Sequence, residues 1–214
     1  MISLKRVSKA FGSIRAVDHV SLEILAGQVV VIQGPSGSGK TTLLRLIAGL
    51  ELPDAGVIAL DDEVVSAVDW ATPPHSRGIG IVFQRSALWP HMTVAQNLCF
   101  AMNGLSKAEA DAHLHEILER VVLTNLRDRY PSQLSGGEAR RVAVGRAMAA
   151  RPKRLLLDEP LTSLDPELKG RLLTAILEYA HETGATVLYI THDREEARAV
   201  GHVRLCMERG RIVG

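Results

Sequence analysis

A glycine-rich segment of the chain has the composition and spacing of a phosphate-binding loop. It runs over residues 34–41 with the letters GPSGSGKT, which match the pattern G-x-x-x-x-G-K-[ST]. The glycines let the backbone curl so that successive N–H groups point at phosphate oxygens, and the helix predicted to begin near Lys40 adds its positive dipole end. Lys40 is expected to reach the β- and γ-phosphates, and the Thr41 hydroxyl is expected to bind Mg²⁺. The segment, hereafter the phosphate loop, thus predicts phosphate contacts from Gly34, Ser36, Gly37, Ser38, Gly39, Lys40 and Thr41.

Two adjacent carboxylates form a second candidate site. Asp158 and Glu159 end an apolar strand predicted over 154–158, and ligands of parallel sheets bind beyond the carboxyl ends of strands, the same edge that carries the phosphate loop. Adjacent strand residues point to different sides, so the two acids are expected to have different tasks. Asp158 is predicted to hold the Mg²⁺ shell through water, and Glu159 is predicted to polarise the water that attacks the γ-phosphate. Considered alone, the acid pair is also compatible with a solvated turn.

The segment 134–138, with the letters LSGGE, opens a predicted helix. Ser135 and Glu138 have the spacing of a capping box, while Gly136 and Gly137 leave the first turn without side chains. A bare helix N-terminus with a free serine can approach a phosphate closely. Taken by itself, however, this signature turn (134–138) is interpreted first as a well-capped helix.

The elements that must position these residues alternate between strand and helix along much of the chain. Strands are predicted over 29–32, 78–83, 154–158 and 186–191, helices over 41–50, 166–183 and 194–200, and closing strands over 203–207 and 212–213. Such alternation is typical of an α/β fold with a mostly parallel sheet covered on both faces. Two strands over 2–7 and 17–25, joined by 8–12, come first, and the stretch 93–150 is predicted to be helical with capping boxes at Thr93 and Ser106. We expect a single domain with its core in 1–92 and 151–214 and a helical subdomain in 93–150.

Composition excludes several classes of function. The chain has 25 basic and 24 acidic residues, so no strong field attracts nucleic acid or anionic lipid. Cys99 and Cys206 lie in apolar surroundings and are predicted to be buried thiols in a reducing compartment. The apolar runs have strand length, short of the roughly 20 residues that span a bilayer, and the N-terminus lacks the apolar stretch of a signal peptide. We therefore expect a cytoplasmic chain that meets a membrane only through a partner.

With the phosphate loop and the acid pair, the signature turn resembles the nucleotide-binding subunit of an ABC transporter, in which L-S-G-G-[QE] is the signature motif. The turn follows the phosphate loop by about 100 residues and shortly precedes the acid pair, as in the family, and the resemblance extends from Ile2 to Gly214. It implies a P-loop NTPase fold with a RecA-like, mostly parallel sheet, an N-terminal antiparallel β subdomain and an inserted α-helical signature subdomain.

The resemblance also implies roles for single residues. Gln84 stands at the Q-loop position, which implies contact with Mg²⁺ and the attacking water, and His192 matches the switch histidine at the γ-phosphate. Phe11 takes the place of the aromatic residue that stacks on adenine, where tyrosine is frequent, so ATP is expected on Phe11 and along the phosphate loop as far as Thr42. The segment 163–165 resembles the D-loop, which implies that Asp165 touches the opposite subunit.

Partners follow from the same resemblance. Two copies, or one copy and a paralogue, are expected to form a head-to-tail dimer in which Ser135, Gly136 and Gly137 of one subunit close the phosphate loop of the other over ATP and Mg²⁺. The loop 84–92 is expected to dock on a transmembrane permease, with burial of Trp89 inside the helical lobe as the alternative. Import is the expected direction, with an extracytoplasmic solute-binding protein and a location on the inner face of the membrane. An export or lipoprotein-extraction ATPase and a soluble non-transport ATPase are the alternatives, and no nucleic-acid partner is expected.

Overall fold

The structure, a computed structural model, describes residues 1–102, 104–201 and 203–213. The strands are β1 (Ile2–Phe11), β2 (Ile14–Ile24), β3 (Val29–Gln33), β4 (Ala55–Leu60), β5 (Glu63–Ala67), β6 (Trp70–Ala71), β7 (Ile79–Val82), β8 (Arg154–Asp158), β9 (Thr186–Thr191), β10 (Val203–Glu208) and β11 (Arg211–Val213). The helices are α1 (Lys40–Ala48), α2 (Val94–Cys99), α3 (Lys107–Arg120), α4 (Gly136–Ala149), α5 (Pro166–Thr183) and α6 (Arg194–Val200).

The larger sheet has the strand order β11-β10-β3-β9-β8-β7. Its strands pair in parallel except for β11, which runs antiparallel to β10. Every residue of β8 and β9 is buried, as expected for parallel strands covered on both faces. Because the strands are in register at their carboxyl ends, the residues that follow β3, β7, β8 and β9 meet at one edge of the sheet.

Two apolar clusters cover the two faces of this sheet. Since successive strand residues point to opposite faces, Leu155 and Leu157 pack in the cluster that includes α2, α3, α4 and α5. Leu156 packs in the other cluster, with α1 and the second sheet. The predicted α/β fold is therefore confirmed, whereas the division into a core (1–92 and 151–214) and a helical subdomain (93–150) stays a prediction.

The second sheet is antiparallel, with the order β2-β1-β4-β5-β6, which confirms the N-terminal antiparallel β subdomain but corrects the strands predicted within it. The segment 8–12 was predicted to be a connection, but β1 continues to Phe11 because it pairs with β2 on one side and with β4 on the other. Strands β4, β5 and β6 were not predicted. A signal for β4 and β5 exists in the sequence, since two short apolar runs flank Asp61 and Asp62, which both adopt positive φ in the turn between them.

Helix boundaries follow local signals. The capping boxes at Thr93, Ser106 and Ser135 are all formed, and α5 and α6 have their predicted bounds. Helix α1 ends two residues before its predicted end because Gly49 adopts a left-handed conformation and caps it. We use the name helical lobe for α2, α3 and α4.

Two further predictions have mixed outcomes. Cys99 and Cys206 are free thiols, but both are only half-buried, so the prediction that they are buried was wrong. Partial burial raises the pKa of the Cys99 thiol. Among the described residues, no helix has both the length and the apolar character needed to cross a bilayer.

Candidate active site

The phosphate loop connects β3 to α1 and is wedged between two strands. A Cβ atom on Gly34 would lie 2.2 Å from the carbonyl oxygen of Met207 in β10, and one on Gly39 would lie 2.0 Å from the carbonyl oxygen of Ala16 in β2. Gly39 also has a φ of 105°, which side chains rarely tolerate. Only glycine fits these two positions, so the backbone of the loop is shaped by its neighbours.

Lys40 and Thr41 begin α1 at the mouth of the loop. The Lys40 ammonium donates hydrogen bonds to the carbonyls of Gly34 at 2.8 Å and Pro35 at 2.9 Å, and to the Ser38 hydroxyl at 3.3 Å. Burial lowers the pKa of Lys40, and the nearby carboxylates of Glu159 and Asp158 oppose that shift. The loop thus holds a buried cation beside the amino end of a helix, which is a favourable place for a polyanion.

Asp158 supplies an oxygen next to that cation. Its Oδ2 accepts a hydrogen bond of 2.9 Å from the Thr41 hydroxyl. Burial raises the pKa of Asp158, while the Thr41 hydrogen bond and the charges of Lys40 and Arg140 lower it. Two adjacent oxygens at the rim of a phosphate loop fit Mg²⁺, which takes one or two protein oxygens together with waters and phosphate oxygens.

Glu159 leaves the strand in an unusual conformation. Its φ is 49°, and its N–H donates a hydrogen bond of 2.9 Å to the carbonyl of Ile190. The left-handed backbone costs about 1–3 kcal/mol, and such strain is concentrated at functional sites. His192, which follows β9, donates from Nδ1 to Glu159 Oε1 at 2.8 Å, so the carboxylate is fixed in direction.

Lys40, Thr41 and Glu159 line a cavity of about 270 Å³, and Asp158 and His192 are bonded to Thr41 and Glu159 behind it. Its lining includes eight of the residues predicted for the ATP site, namely Ser36, Gly37, Gly39, Lys40, Thr41, Thr42, Gln84 and Glu159, but not Gly34, Ser38, Asp158 or His192. Ile14 and Ala16 also line it and were missed by the sequence analysis. The signal for them is the alternation of β2, which directs every second residue to one face.

Phe11 lies beside this cavity rather than in its lining. It pairs with Ile14 across the β1–β2 hairpin and is 47% exposed. The Lys9 ammonium lies 5.6 Å from the centroid of its ring. The ring therefore presents an accessible surface next to Ile14.

The signature turn lies apart from the cavity. Ser135 accepts a hydrogen bond from the Glu138 N–H at 3.2 Å and caps α4, and Asp165 caps α5 through the Leu168 N–H at 2.9 Å. A Cβ atom on Gly137 would lie 2.9 Å from Leu164 Cδ2, so the signature turn packs on the segment 163–165 of its own chain. Of the described residues that line the cavity, none is Ser135, Gly136, Gly137 or Asp165.

A larger cavity, of about 510 Å³, lies at the amino ends of β7 and β8. Its lining includes Arg151, Lys153 and Arg154 but none of the residues predicted to bind ATP or Mg²⁺. Because ligand sites of parallel sheets lie at the carboxyl ends of the strands, the smaller cavity is the candidate active site.

Comparison with known proteins decides the family. A family model described as ABC transporter matches residues 17–162, which contain the phosphate loop, the signature turn and the acid pair. The chain belongs to the ABC transporter family. A sulfate/thiosulfate import ATP-binding protein, CysA of Thermosynechococcus vestitus, is 46% identical over 99% of this chain and 62% of its own length. A spermidine/putrescine import ATP-binding protein, PotA of Chromobacterium violaceum, is 44% identical over 99% of this chain and 58% of its own length.

The chain therefore spans about three fifths of the length of these ABC transporter relatives. Solved structures match it over its whole length. The ATP-binding cassette MJ0796, in a dimeric post-hydrolysis state bound to ADP and Pi, is 33% identical with a TM-score of 0.90 over 100% of this chain and 97% of its own. A second dimeric structure of MJ0796, described as a bacterial ABC transporter cassette, is 32% identical with a TM-score of 0.92 and the same coverage. The fold is thus that of an ABC cassette, as the resemblance implied.

Proposed function

We propose that this ABC cassette binds ATP with Mg²⁺ and hydrolyses it to ADP and phosphate. The observation that carries the proposal is the meeting of Lys40, the Thr41–Asp158 pair and the Glu159–His192 pair around one cavity. The match to a cassette whose structure is described as post-hydrolysis and bound to ADP and Pi supports it.

Each group has a task in the proposed reaction. Lys40 and the N–H groups of the phosphate loop bind the β- and γ-phosphates. Thr41 and Asp158, with Gln84 beside them, hold the metal site, where bound Mg²⁺ would neutralise charge on the β- and γ-phosphate oxygens. Glu159 orients and polarises the attacking water, and His192 keeps the Glu159 carboxylate in place beside the γ-phosphate. Phe11 stacks on adenine from the hairpin next to Ile14.

A second subunit completes the proposed site. Ser135 and Gly136 of the signature turn are exposed, and a Cβ atom on Gly136 would meet no atom within 4 Å, so this part of the turn is open to a phosphate from outside the chain. We infer a head-to-tail dimer with a second copy or a paralogue, in which Ser135, Gly136 and Gly137 reach the partner's ATP and Asp165 lies near the dimer interface. The dimeric structures described for MJ0796 support this arrangement.

The loop after Gln84 is the proposed docking surface for a permease. Asn97 is fully buried and its side-chain amide donates hydrogen bonds to the carbonyls of Trp89, Met92 and Thr93, while its oxygen accepts one from the Trp89 N–H. The Asn97 side chain therefore fixes the backbone of this loop. Trp89 is 43% exposed, which contradicts its burial within the helical lobe, and its ring lies 5.5 Å from that of Phe100, which is 56% exposed. Two exposed apolar rings, one on the fixed loop and one at the end of α2, suit a short apolar helix of a membrane partner.

Import is the direction that the relatives favour. Proteins named for sulfate/thiosulfate, spermidine/putrescine and Fe³⁺ import are 42–46% identical to this chain. We propose an importer ATPase on the inner face of the membrane, with the residues 93–150 as the lobe that carries the signature and moves against the ATP-binding core. Because these relatives serve unlike solutes at similar identity, solute choice is assigned to the permease and to an extracytoplasmic solute-binding protein.

Two experiments test the proposal. Purified protein with Mg²⁺ and ATP is expected to release phosphate, and no release at any protein concentration, with or without membranes, would refute ATP hydrolysis. Affinity capture from native membranes in mild detergent, followed by mass spectrometry, is expected to recover a polytopic membrane protein in stoichiometric amount. Recovery of ribosomes or DNA-bound proteins instead would favour the soluble ATPase.

A further inference from the structure

Three arginines of α4, two of them buried and one half-buried, direct their guanidinium groups at backbone carbonyls. Arg140 and Arg141 are each 8% exposed, Arg146 is half-buried, and burial lowers the pKa of all three. Within the described residues none of them forms an ion pair with an acid; their guanidinium groups donate to backbone carbonyls instead. Burial of a guanidinium that binds only backbone carbonyls is energetically costly. The contacts with these carbonyls are therefore expected to serve a purpose.

Arg140 holds the start of the segment that carries Gln84. Its Nη1 donates to the Phe83 carbonyl at 2.6 Å and its Nη2 donates to the Gln84 carbonyl. Arg146, six residues further along α4, donates from Nη2 to the Ala87 carbonyl at 2.9 Å. Helix α4, which begins in the signature turn and is hereafter the signature helix, therefore binds the segment 83–87 at two points. The Gln84 side chain lines the cavity.

The guanidinium of Arg140 also lies near the catalytic edge of the sheet. The charges of Asp158 and Glu159 oppose the burial effect on its pKa, and its own charge lowers the pKa of Asp158. Because a rigid fork can hold two carbonyls at a fixed angle, Arg140 constrains the backbone of Gln84 in direction as well as in distance. Arg140 therefore connects α4 to the backbone of Gln84 through one side chain.

We propose that Arg140 is a positioning residue of the ATP site, which links the orientation of the signature helix to the placement of Gln84. The inference rests on the proposed hydrolysis of ATP and deepens it, because it names the contact through which the helical lobe reaches the attacking water. Arg140 acts through the Phe83 and Gln84 carbonyls and needs no contact with ATP or with the attacking water.

Arg141 provides a matched control on the same helix. It is equally buried and also donates to carbonyls, those of Val121 and Val122 at the end of α3. Its contacts stay within the helical lobe and do not reach the segment 83–87. Loss of Arg141 therefore reports the cost of removing a buried guanidinium from α4 without disturbing Gln84.

The experiment compares Arg140→Gln, Arg140→Lys and Arg141→Gln in the full chain. We measure kcat and KM for ATP, Tm, and amide hydrogen exchange of the segment 83–88 by mass spectrometry. Arg140→Gln is expected to lower kcat by about 10- to 100-fold, because misplacement of a catalytic group by about 1 Å has effects of that size, with KM within about threefold. Exchange of the segment should rise at least about tenfold. Arg140→Lys keeps the charge but lacks the planar guanidinium fork, so its kcat and its exchange rate should lie between those of the wild type and Arg140→Gln.

Arg141→Gln is expected to lower Tm but to leave kcat and the exchange of 83–88 near the wild-type values. A double-mutant cycle with Gln84→Ala adds the decisive comparison: once the Gln84 side chain is gone, Arg140→Gln should change kcat by less than about threefold. Full additivity in the cycle, or equal effects of Arg140→Gln and Arg141→Gln on kcat and exchange, would overturn the inference. Absence of hydrolysis by the wild type would overturn the proposed function instead, and the exchange measurement would still decide whether Arg140 holds the segment.

Discussion

Replacement of Glu159 with glutamine removes one charge from the catalytic edge and keeps the shape of the side chain. The Glu159 Oε1 accepts its 2.8 Å hydrogen bond from His192, and an amide oxygen can accept the same bond. The charge of Glu159 also raises the pKa of the neighbouring buried Asp158, so its removal relieves a repulsion between like charges. We therefore expect the Glu159→Gln protein to fold with an unchanged or raised Tm.

The size of the kinetic effect follows from the arrangement of the acids. Asp158 Oδ2 is already bound to Thr41 at 2.9 Å, so the remaining carboxylate of the pair is not free to replace the base. Loss of a general base lowers turnover by about 10²- to 10⁴-fold, equivalent to about 3–5 kcal/mol of activation free energy. The Lys40 ammonium is bonded to the phosphate loop and not to Glu159, so ATP affinity should change by less than about threefold.

The assay is phosphate release under single-turnover conditions, together with titration of a fluorescent ATP analogue and size-exclusion chromatography in ATP. The variant should bind nucleotide normally, release phosphate slowly and accumulate as an ATP-bound dimer. Glu167→Gln, the same charge change on an exposed residue in the first turn of α5, is the control and should behave as wild type. A kcat within about threefold of wild type for Glu159→Gln would refute the role of this carboxylate.

Three further substitutions test other parts of the account. The methyl group added by Gly136→Ala would meet open space, so Tm should stay unchanged within about 2 °C. The same change should weaken ATP-dependent dimerisation measured by sedimentation, and undiminished dimerisation would exclude the signature turn from the interface. Hydrogen bonds from His19 and then Arg211 hold the pKa of Asp18 below its usual range. The contribution of Asp18 to stability is therefore present above about pH 5 and is lost as the pH falls further. Asp18→Asn should therefore flatten the decline of Tm in acid, and an unaltered Tm–pH profile would contradict this. Trp89→Ala should keep ATPase activity and lose capture of a membrane partner. The control Trp70→Ala, on the exposed edge strand β6, should keep both the activity and the capture. If the Trp89→Ala protein still captures the membrane partner, the proposed docking surface is refuted.

The local elements of this fold are the ones that the sequence by itself determined. The phosphate loop is recognisable because its glycine spacing meets a local steric demand. The capping boxes at Thr93, Ser106 and Ser135 join residues only three positions apart, so nothing distant is needed to predict them. Strands β8 and β9 were predicted with their observed bounds because strands buried on both faces have a continuous apolar run at their centre.

Tertiary structure alone decided the features that depend on distant neighbours. Strand β1 extends to Phe11, and β4 to β6 exist, because each gains a ladder partner from another part of the chain. Arg140 grips carbonyls that lie 56 and 57 residues away, and Ala16 and Met207 shape the phosphate loop from opposite ends of the sequence. The type of a residue determines which groups it can bind. Which group it actually meets depends on the distant segments that the packed core brings together, and the neighbouring sequence does not contain that information.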